Sequence, residues 1–405
     1  MSQQNLSQYD FITQHDYEAV AGPDWPSFVN FQKHQNIADF VYAEINDMLL
    51  DIKPFEHPAF CVLPVYGWEY PNNTPCCLIT PGADINIVRS SMLVGNRPSA
   101  CHKCWRLEDA GIPSDRQIKN ATLDFYFDRD LKTLFEQAKF GDYSPVSYKI
   151  DTSNVCNATC ITCGSLFSSA WAHLERKNGK TTHKSWQILP ATVNMQINYA
   201  TAQSISFRGG EPLLSNTNFY ILERLIENNN RNCFISFVTN GSIKLTGQQK
   251  KILAEFPNIN FSFSIDGIGP VFEYLRYPGK WNQIERNIAY CRQNNIMVSA
   301  HYTVSNLNVF YHNQTVKWFK DNDIPYLFNP VYQPSYFRIP VLPKTVKDYI
   351  VQQDVDPKLL PFIQTHTEKD EQDYQLFRVE LARQDLWKGI SMQDYLPELA
   401  ALIDQ

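Results

Sequence analysis

Between residues 141 and 331 the sequence predicts an α/β fold, an open partial (β/α)6 barrel with parallel strands. Three observations predict it. Strand-like and helix-like runs alternate six times, the helix after the second strand-like run carries one apolar face, and the first four strand-like runs each end in a polar or glycine-rich signal. Crossover helices of one hand pack back on a parallel sheet and curl it, which places such signals together on one rim. A small cysteine-rich module precedes the barrel at 56–140, after a helical extension at 1–55, and a helical tail follows at 332–405.

Taken in order, IADFVYAEINDMLLDI predicts one amphipathic helix in the extension. The stretch 105–145 reads as helical at first and then as loop, with FGDYSP as the linker into the barrel. SPVSYKID is the first barrel strand, and the segment from Gly164 to about Lys177 is its helix. QSISFRGG is the second strand, followed by a helix with Phe219, Leu222, Leu225 and Ile226 on its apolar face. CFISFVTN, NINFSFSID, IMVSAHYTV and IPYLFNPV are four further runs rich in β-branched and aromatic residues. The helices TGQQKKILAEF, WNQIERNIAYCRQNN and HNQTVKWFKDND fall between them. Beyond Tyr332, QPSYFRIPVLP is irregular, and PKTVKDYIVQQ, EKDEQDYQLFRVELARQD and SMQDYLPELAALID are helix-like; closing the open side of the barrel is the expected use of this tail.

The chemistry-bearing feature is C-x3-C-x2-C in KIDTSNVCNATCITCGS, formed by Cys156, Cys160 and Cys163 directly after the first strand. Three thiolates on one short loop can hold three irons of a cubic iron-sulfur cluster and leave the fourth iron without a protein ligand, since the next cysteine is Cys233. A zinc knuckle normally needs four ligands. Downstream, Gly209, Gly210, Glu211 and Pro212 end the second strand, Asn240 ends the third, and Ser264 and Asp266 end the fourth. Two glycines remove side chains so that a backbone can approach a ligand, and a carboxylate answers a cation.

The triplet, GGEP, TNG and SIDG, on successive strands in this order, resemble the radical S-adenosylmethionine (radical SAM) superfamily over about residues 146–330. The resemblance implies that Cys156, Cys160 and Cys163 hold a 4Fe-4S cluster whose open iron is chelated by S-adenosylmethionine. It implies that Gly209, Gly210, Glu211 and Pro212 meet the methionyl ammonium, and that Ser264 and Asp266 contact the ribose or the carboxylate. Arg276 resembles an arginine that salt-bridges that carboxylate, and Asn240 lines the site. One residue departs from the pattern: Thr162 stands where the family usually has an aromatic residue near the adenine.

Five cysteines precede the barrel: Cys61, Cys76, Cys77, Cys101 and Cys104. Four of them, with one of the adjacent pair Cys76 and Cys77, make a complete ligand set for an auxiliary iron-sulfur cluster, and zinc stays open as the alternative. The pattern resembles the twitch or SPASM type of auxiliary-cluster module, which in many relatives follows the barrel instead of preceding it. Cys233 and Cys291 read as buried small hydrophobes.

A net charge of −6 over 405 residues gives no footprint for nonspecific nucleic-acid binding. No apolar run approaches the ~20 residues of a membrane span, the polar amino terminus lacks the pattern of a signal peptide, and reduced thiolates fit the cytoplasm. The resemblance therefore implies an oxidoreductase-type enzyme that cleaves S-adenosylmethionine reductively and takes a hydrogen atom from a peptide or protein residue, with flavodoxin or ferredoxin as electron donor. A dehydrogenase or rearrangement enzyme acting on a small molecule, and a non-catalytic metal- and S-adenosylmethionine-binding scaffold, are the alternatives.

Overall fold

The computed structural model describes residues 55–403, apart from 77, 110–113, 122–130, 195, 332, 354, 357–358 and 365. The helix expected at IADFVYAEINDMLLDI lies outside the described residues, as does Cys77.

Seven strands form one sheet in the order β1-β2-β3-β4-β5-β6-β7, every neighbouring pair parallel. They are β1 (Gly67–Tyr70), β2 (Ser147–Asp151), β3 (Ser204–Arg208), β4 (Phe234–Thr239), β5 (Ile259–Ser264), β6 (Met297–Val304) and β7 (Tyr326–Pro330). Strands β2 to β7 are the six expected from the alternation, and the sheet is an open half-barrel. The additional strand β1 comes from the cysteine-rich segment and pairs with β2 in the register Glu69↔Lys149.

Helices pack between and around these strands. The cysteine-rich segment holds α1 (Ile85–Leu93), α2 (His102–Asp109), α3 (Asp115–Ala121) and α4 (Leu131–Lys139). The barrel crossovers carry α5 (Ser169–Lys177), α6 (Asn216–Glu227), α7 (Gly247–Leu253), α8 (Gly269–Leu275), α9 (Trp281–Gln293) and α10 (His312–Asp321), and the tail carries α11 (Lys344–Val351) and α12 (Glu368–Lys388). None of the described helices is long and apolar enough to cross a membrane.

Three expectations are corrected. Helix α5 starts at Ser169, not Gly164, because the Ser168 hydroxyl accepts from the Trp171 amide and caps the helix there. The stretch expected to become loop before the barrel contains α4, whose Leu134, Phe135 and Ala138 are buried against Phe60 and Val62. The last expected helix, within 391–404, is two short helices, Met392–Tyr395 and Pro397–Ile403, because Pro397 cannot supply an amide hydrogen to continue the first.

The period of two along each strand separates the faces of the sheet. Phe207, Phe237 and Phe261 stand in register on β3, β4 and β5, with ring centres 4.9 and 5.4 Å apart, and bury against the helices. The opposite face is polar: Ser206 aligns with Ser236, Ser262 with Ser299, and Asn260 donates to the Ser299 hydroxyl at 3.0 Å. At the β1 side of this polar face Lys149 pairs with Glu69 at 3.0 Å, and Arg208 lies between Asp151 at 3.4 Å and Glu69 at 3.8 Å. The polar face leaves the barrel interior able to take a hydrogen-bonding ligand, while the apolar face supplies the main core.

Candidate functional site

The loop from Ser153 to Ser168 leaves the C-terminal end of β2 and is held from several sides. Asn154 anchors its start, its side chain accepting from the Trp186 amide at 2.9 Å and donating to Lys184 O at 3.1 Å. Ser168 and Ser169 fold the N-terminus of α5 onto it: the Ser168 hydroxyl donates to Ala158 O at 2.6 Å, and the Cys156 amide donates to the Ser169 hydroxyl at 3.1 Å. On the far side the amides of Thr159 and Ile161 donate to Tyr277 O and Leu275 O at 2.7 and 2.8 Å, fixing the loop to the end of α8. The loop is therefore shaped by neighbours on both sides before any cofactor is considered.

Cys156, Cys160 and Cys163 are all free thiols on this loop, Cys160 buried and the other two half-buried. Burial pushes the Cys156 thiol up to about 12, with Cys160 beside it adding to the rise. Cys163 is pushed up by burial first and then by Cys160 and Cys156, so the three sulfurs sense one another. Iron binding has to displace those protons, as thiolate ligation generally does. Three soft donors on one pinned loop fit the iron-sulfur group that the motif implies.

The glycine pair meets the cysteine loop itself. Gly209 and Gly210 have φ of +75° and +53°, and a Cβ on Gly210 would stand 2.4 Å from Val155 O. That close approach lets the Glu211 amide donate to the same Val155 carbonyl at 2.8 Å. The Glu211 carboxylate is wholly buried and accepts from Leu213 N at 3.1 Å, Thr239 Oγ1 at 2.8 Å and Asn240 N at 2.7 Å. Burial raises it to about 7 against the pull of those three donors. Here the glycines admit protein backbone, and the acid ties the loop after β3 to the loop after β4. Pro212 opens the 3-10 turn Pro212–Leu214 that follows, in which Pro212 and Leu213 are buried.

Asn240 turns toward the cysteines. Its Nδ2 donates to Asn157 Oδ1 at 2.8 Å and lies 3.9 Å from Cys156 Sγ, and its Oδ1 accepts from the Ser242 hydroxyl at 2.7 Å. Asp266 and Arg276 form a buried pair, Nε to Oδ2 at 2.5 Å and Nη2 to Oδ1 at 2.9 Å, with Thr303 N also donating to Oδ1 at 3.0 Å. Burial works against the Arg276 charge, but Asp266 and Cys160 hold it well above its ordinary value. Arg276 Nη1 lies 3.9 Å from Cys160 Sγ. Ser264 ends β5 on the polar face, in register with His301 of β6. All of the expected barrel residues thus lie on one rim, with Asp266 occupied by Arg276. Thr239, Asn157 and Ser242 join them without having been singled out from sequence.

A cleft of about 270 Å³ opens beside the cysteine loop, lined by Asn157, Asn240, Ser242, Arg276, Lys280 and Arg286 among others. Its wall is polar and cationic. Behind the loop, on the tail, Lys388 lies 4.7 Å from the centre of the Trp171 ring. Burial draws the Lys388 ammonium down to about 7, while Cys160, Asp385 and Cys163 act the other way.

In the cysteine-rich segment Cys61, Cys76, Cys101 and Cys104 line a second, apolar cavity together with Arg116. Cys101 and Cys104 come from the turn Ser99–Cys101 and the start of α2, so a spacing of three puts them on one side. Cys61 is held by Phe60 and Val62: Arg116 and Asn120 donate to Phe60 O at 2.8 Å each, and the Val62 amide donates to Asn120 Oδ1 at 3.1 Å. Arg116 is fixed in turn by a buried bidentate pair with Glu108 at 2.8 and 2.9 Å. Burial and then Cys104 raise the Cys101 thiol to about 11, and the same two causes hold the Cys61 thiol well above its ordinary value. Among the described residues no group of three or more His, Cys, Asp or Glu is gathered closely enough to hold a single metal ion.

Residues 150–321 match the family model of the radical SAM superfamily. No curated protein matches the chain. Solved structures similar in part include anSMEcpe with bound AdoMet, 19% identical, TM-score 0.40, over 52% of this chain and 58% of that one. Streptococcus suis SuiB bound to its precursor peptide SuiA is 16% identical, TM-score 0.38, over 67% and 61%. The radical S-adenosylmethionine methyltransferase TsrM from Kitasatospora setae, with tryptophan and aza-SAM bound, is 15% identical, TM-score 0.32, over 45% and 35%. The chain matches less than two thirds of the length of each.

Proposed function

We propose that the chain is a radical SAM enzyme, residues 150–321 of which match that superfamily's model, and that it uses S-adenosylmethionine to activate a C–H bond in a peptide or protein residue. In this reading Cys156, Cys160 and Cys163 hold a 4Fe-4S cluster, and S-adenosylmethionine seats between the cysteine loop and the loops ending in Gly210, Asn240 and Ser264. When bound, the cluster and S-adenosylmethionine supply one-electron cleavage of a sulfonium and a carbon radical able to take a hydrogen atom. Everything else falls to the chain's own residues.

The observation that carries the reading is the convergence of three strand-end loops, those after β3, β4 and β5, on the cysteine loop. Arg276 sets a cation 3.9 Å from Cys160 Sγ, which favours the thiolate, and Asp266 holds the guanidinium in place by a bidentate pair. Asp266 is thus a positioning residue. Glu211 likewise acts through the amides of Leu213 and Asn240. Ser264, half-buried on the polar face, would hydrogen-bond the ribose or the methionyl carboxylate.

Cys61, Cys101, Cys104 and either Cys76 or Cys77 would hold an auxiliary iron-sulfur cluster. The four described thiols around one apolar cavity support it, and such a module resembles those of peptide-modifying relatives. A second cluster offers the substrate's electron a way out, and a ferredoxin or flavodoxin is the expected donor to the first. Zinc at the amino-terminal cysteines and a small-molecule substrate are the competing outcomes.

The test is anaerobic reconstitution with iron and sulfide, an iron count, and detection of 5'-deoxyadenosine after adding dithionite and S-adenosylmethionine. About eight irons and 5'-deoxyadenosine support the reading, and the C156A/C160A/C163A variant should keep about four irons and lose cleavage. Cleavage retained in that variant would overturn it. Four irons with one zinc would leave the enzyme and remove the auxiliary electron path.

A further inference from the structure

The last turns of α12 reach the back of the cysteine loop, although more than two hundred residues separate them in the chain. Gln384 Nε2 donates to Ile161 O at 3.2 Å, between Cys160 and Cys163. Lys388 Nζ donates to Gln384 Oε1 at 2.9 Å and faces the Trp171 ring, and Trp171 Nε1 donates to Cys160 O at 2.8 Å. Gln384 and Lys388 are 3% and 8% exposed, so both polar ends are buried in this contact. One turn away Asp385 accepts from the Tyr274 hydroxyl at 2.8 Å, which ties α12 to the helix that ends in Arg276.

A buried ammonium is costly unless charge or hydrogen bonds answer it. The groups whose charge bears on Lys388 are Cys160, Asp385 and Cys163, which favour its ammonium when they are deprotonated, and Arg383, a cation on the same helix that opposes it. A cluster held by three thiolates would bring negative charge to that spot. Lys388 also sits at the C-terminus of α12, where the helix presents its own negative end and a cation is favoured.

We propose that Lys388, oriented by Gln384 and Trp171, is a positioning residue of the 4Fe-4S cluster at Cys156, Cys160 and Cys163. With Arg276 it places a second positive charge beside Cys160, favours the more negative, reduced cluster, and makes the tail part of the redox site. This rests on the cluster reading given above.

The test uses the full-length protein, reconstituted without oxygen, as wild type, K388R and K388M. Iron per chain is counted, and the midpoint is followed by electron paramagnetic resonance on the signal that changes when S-adenosylmethionine is added. K388R should match wild type. K388M should keep its iron while its ratio of reduced to oxidised cluster at a fixed potential falls about tenfold, a shift of about 59 mV to more negative values for one electron. Loss of the cluster in K388M with retention in K388R would also support a charge requirement. An unshifted K388M with full iron overturns the proposal, and so does loss of iron in both variants, which would make the contact one of packing alone. A wild-type protein with no such signal overturns the cluster reading, and this proposal with it.

Discussion

Replacing Gly210 with alanine tests whether the glycine pair shapes the cysteine loop. The added Cβ would stand 2.4 Å from Val155 O, 2.8 Å from Asn154 C and 2.9 Å from Val155 C, all backbone atoms with no flexible end to give way. Ordinary contact begins at 3.4 Å, so the loop must retreat by about 1 Å, and the residue that moves is joined to Cys156. Gly269 supplies the control, because its φ is also +53° and nothing lies within 4 Å of its Cβ position. Both substitutions carry the left-handed backbone cost of roughly 1–2 kcal/mol. Only G210A adds overpacking, about 1–3 kcal/mol more. Thermal unfolding of the apo-proteins should therefore order wild type, G269A, G210A, and iron bound after reconstitution should fall only in G210A. Equal iron in all three would refute the idea that Gly210 is there to admit the Val155 carbonyl.

Two further perturbations address single side chains. E211Q sets an amide donor where the carboxylate now accepts from Thr239, Leu213 and Asn240; the apo-protein should lose about 1–3 kcal/mol and bind S-adenosylmethionine more weakly by calorimetry. An E211Q protein as stable as wild type would show that these hydrogen bonds do not shape the rim. His312 is buried, hydrogen-bonded to the Tyr302 hydroxyl at 3.2 Å, and burial lowers it to about 4 from 6.5, with Asp356 acting the other way. Its stabilising share is therefore whole above pH 6.5 and is lost as pH falls towards 4, because the unfolded chain takes up the proton that the folded chain resists. The loss reaches up to about 3 kcal/mol, and urea unfolding at about pH 7 and about pH 5 should show it in wild type and not in H312F. A pH dependence unchanged in H312F would assign the effect to other groups.

Much of the barrel was legible because its signals are local. Alternating side chains in SISFR and INFSFS mark strands with one polar face, and the triplet Cys156, Cys160 and Cys163 lies within one loop, so spacing alone brings those thiols together. The strand β1 was not legible: GWEY is four residues long, and its partner lies about eighty residues away, a pairing that no local pattern encodes. Glu211 could be recognised as important from GGEP, but its task depends on Thr239 and Asn240, which only the β3 and β4 neighbourhood brings within reach. Asp266 and Arg276 are each expected from sequence to meet the ligand, and only the tertiary structure shows that they also pair with one another. By itself the sequence determined the parallel alternation and the donor chemistry, since both follow from periodicity and residue type. Tertiary structure alone decided which backbone the glycines admit, that Arg276 stands beside Cys160, and that Gln384, bonded to Lys388, reaches the cysteine loop, because these depend on close packing between segments distant in the chain.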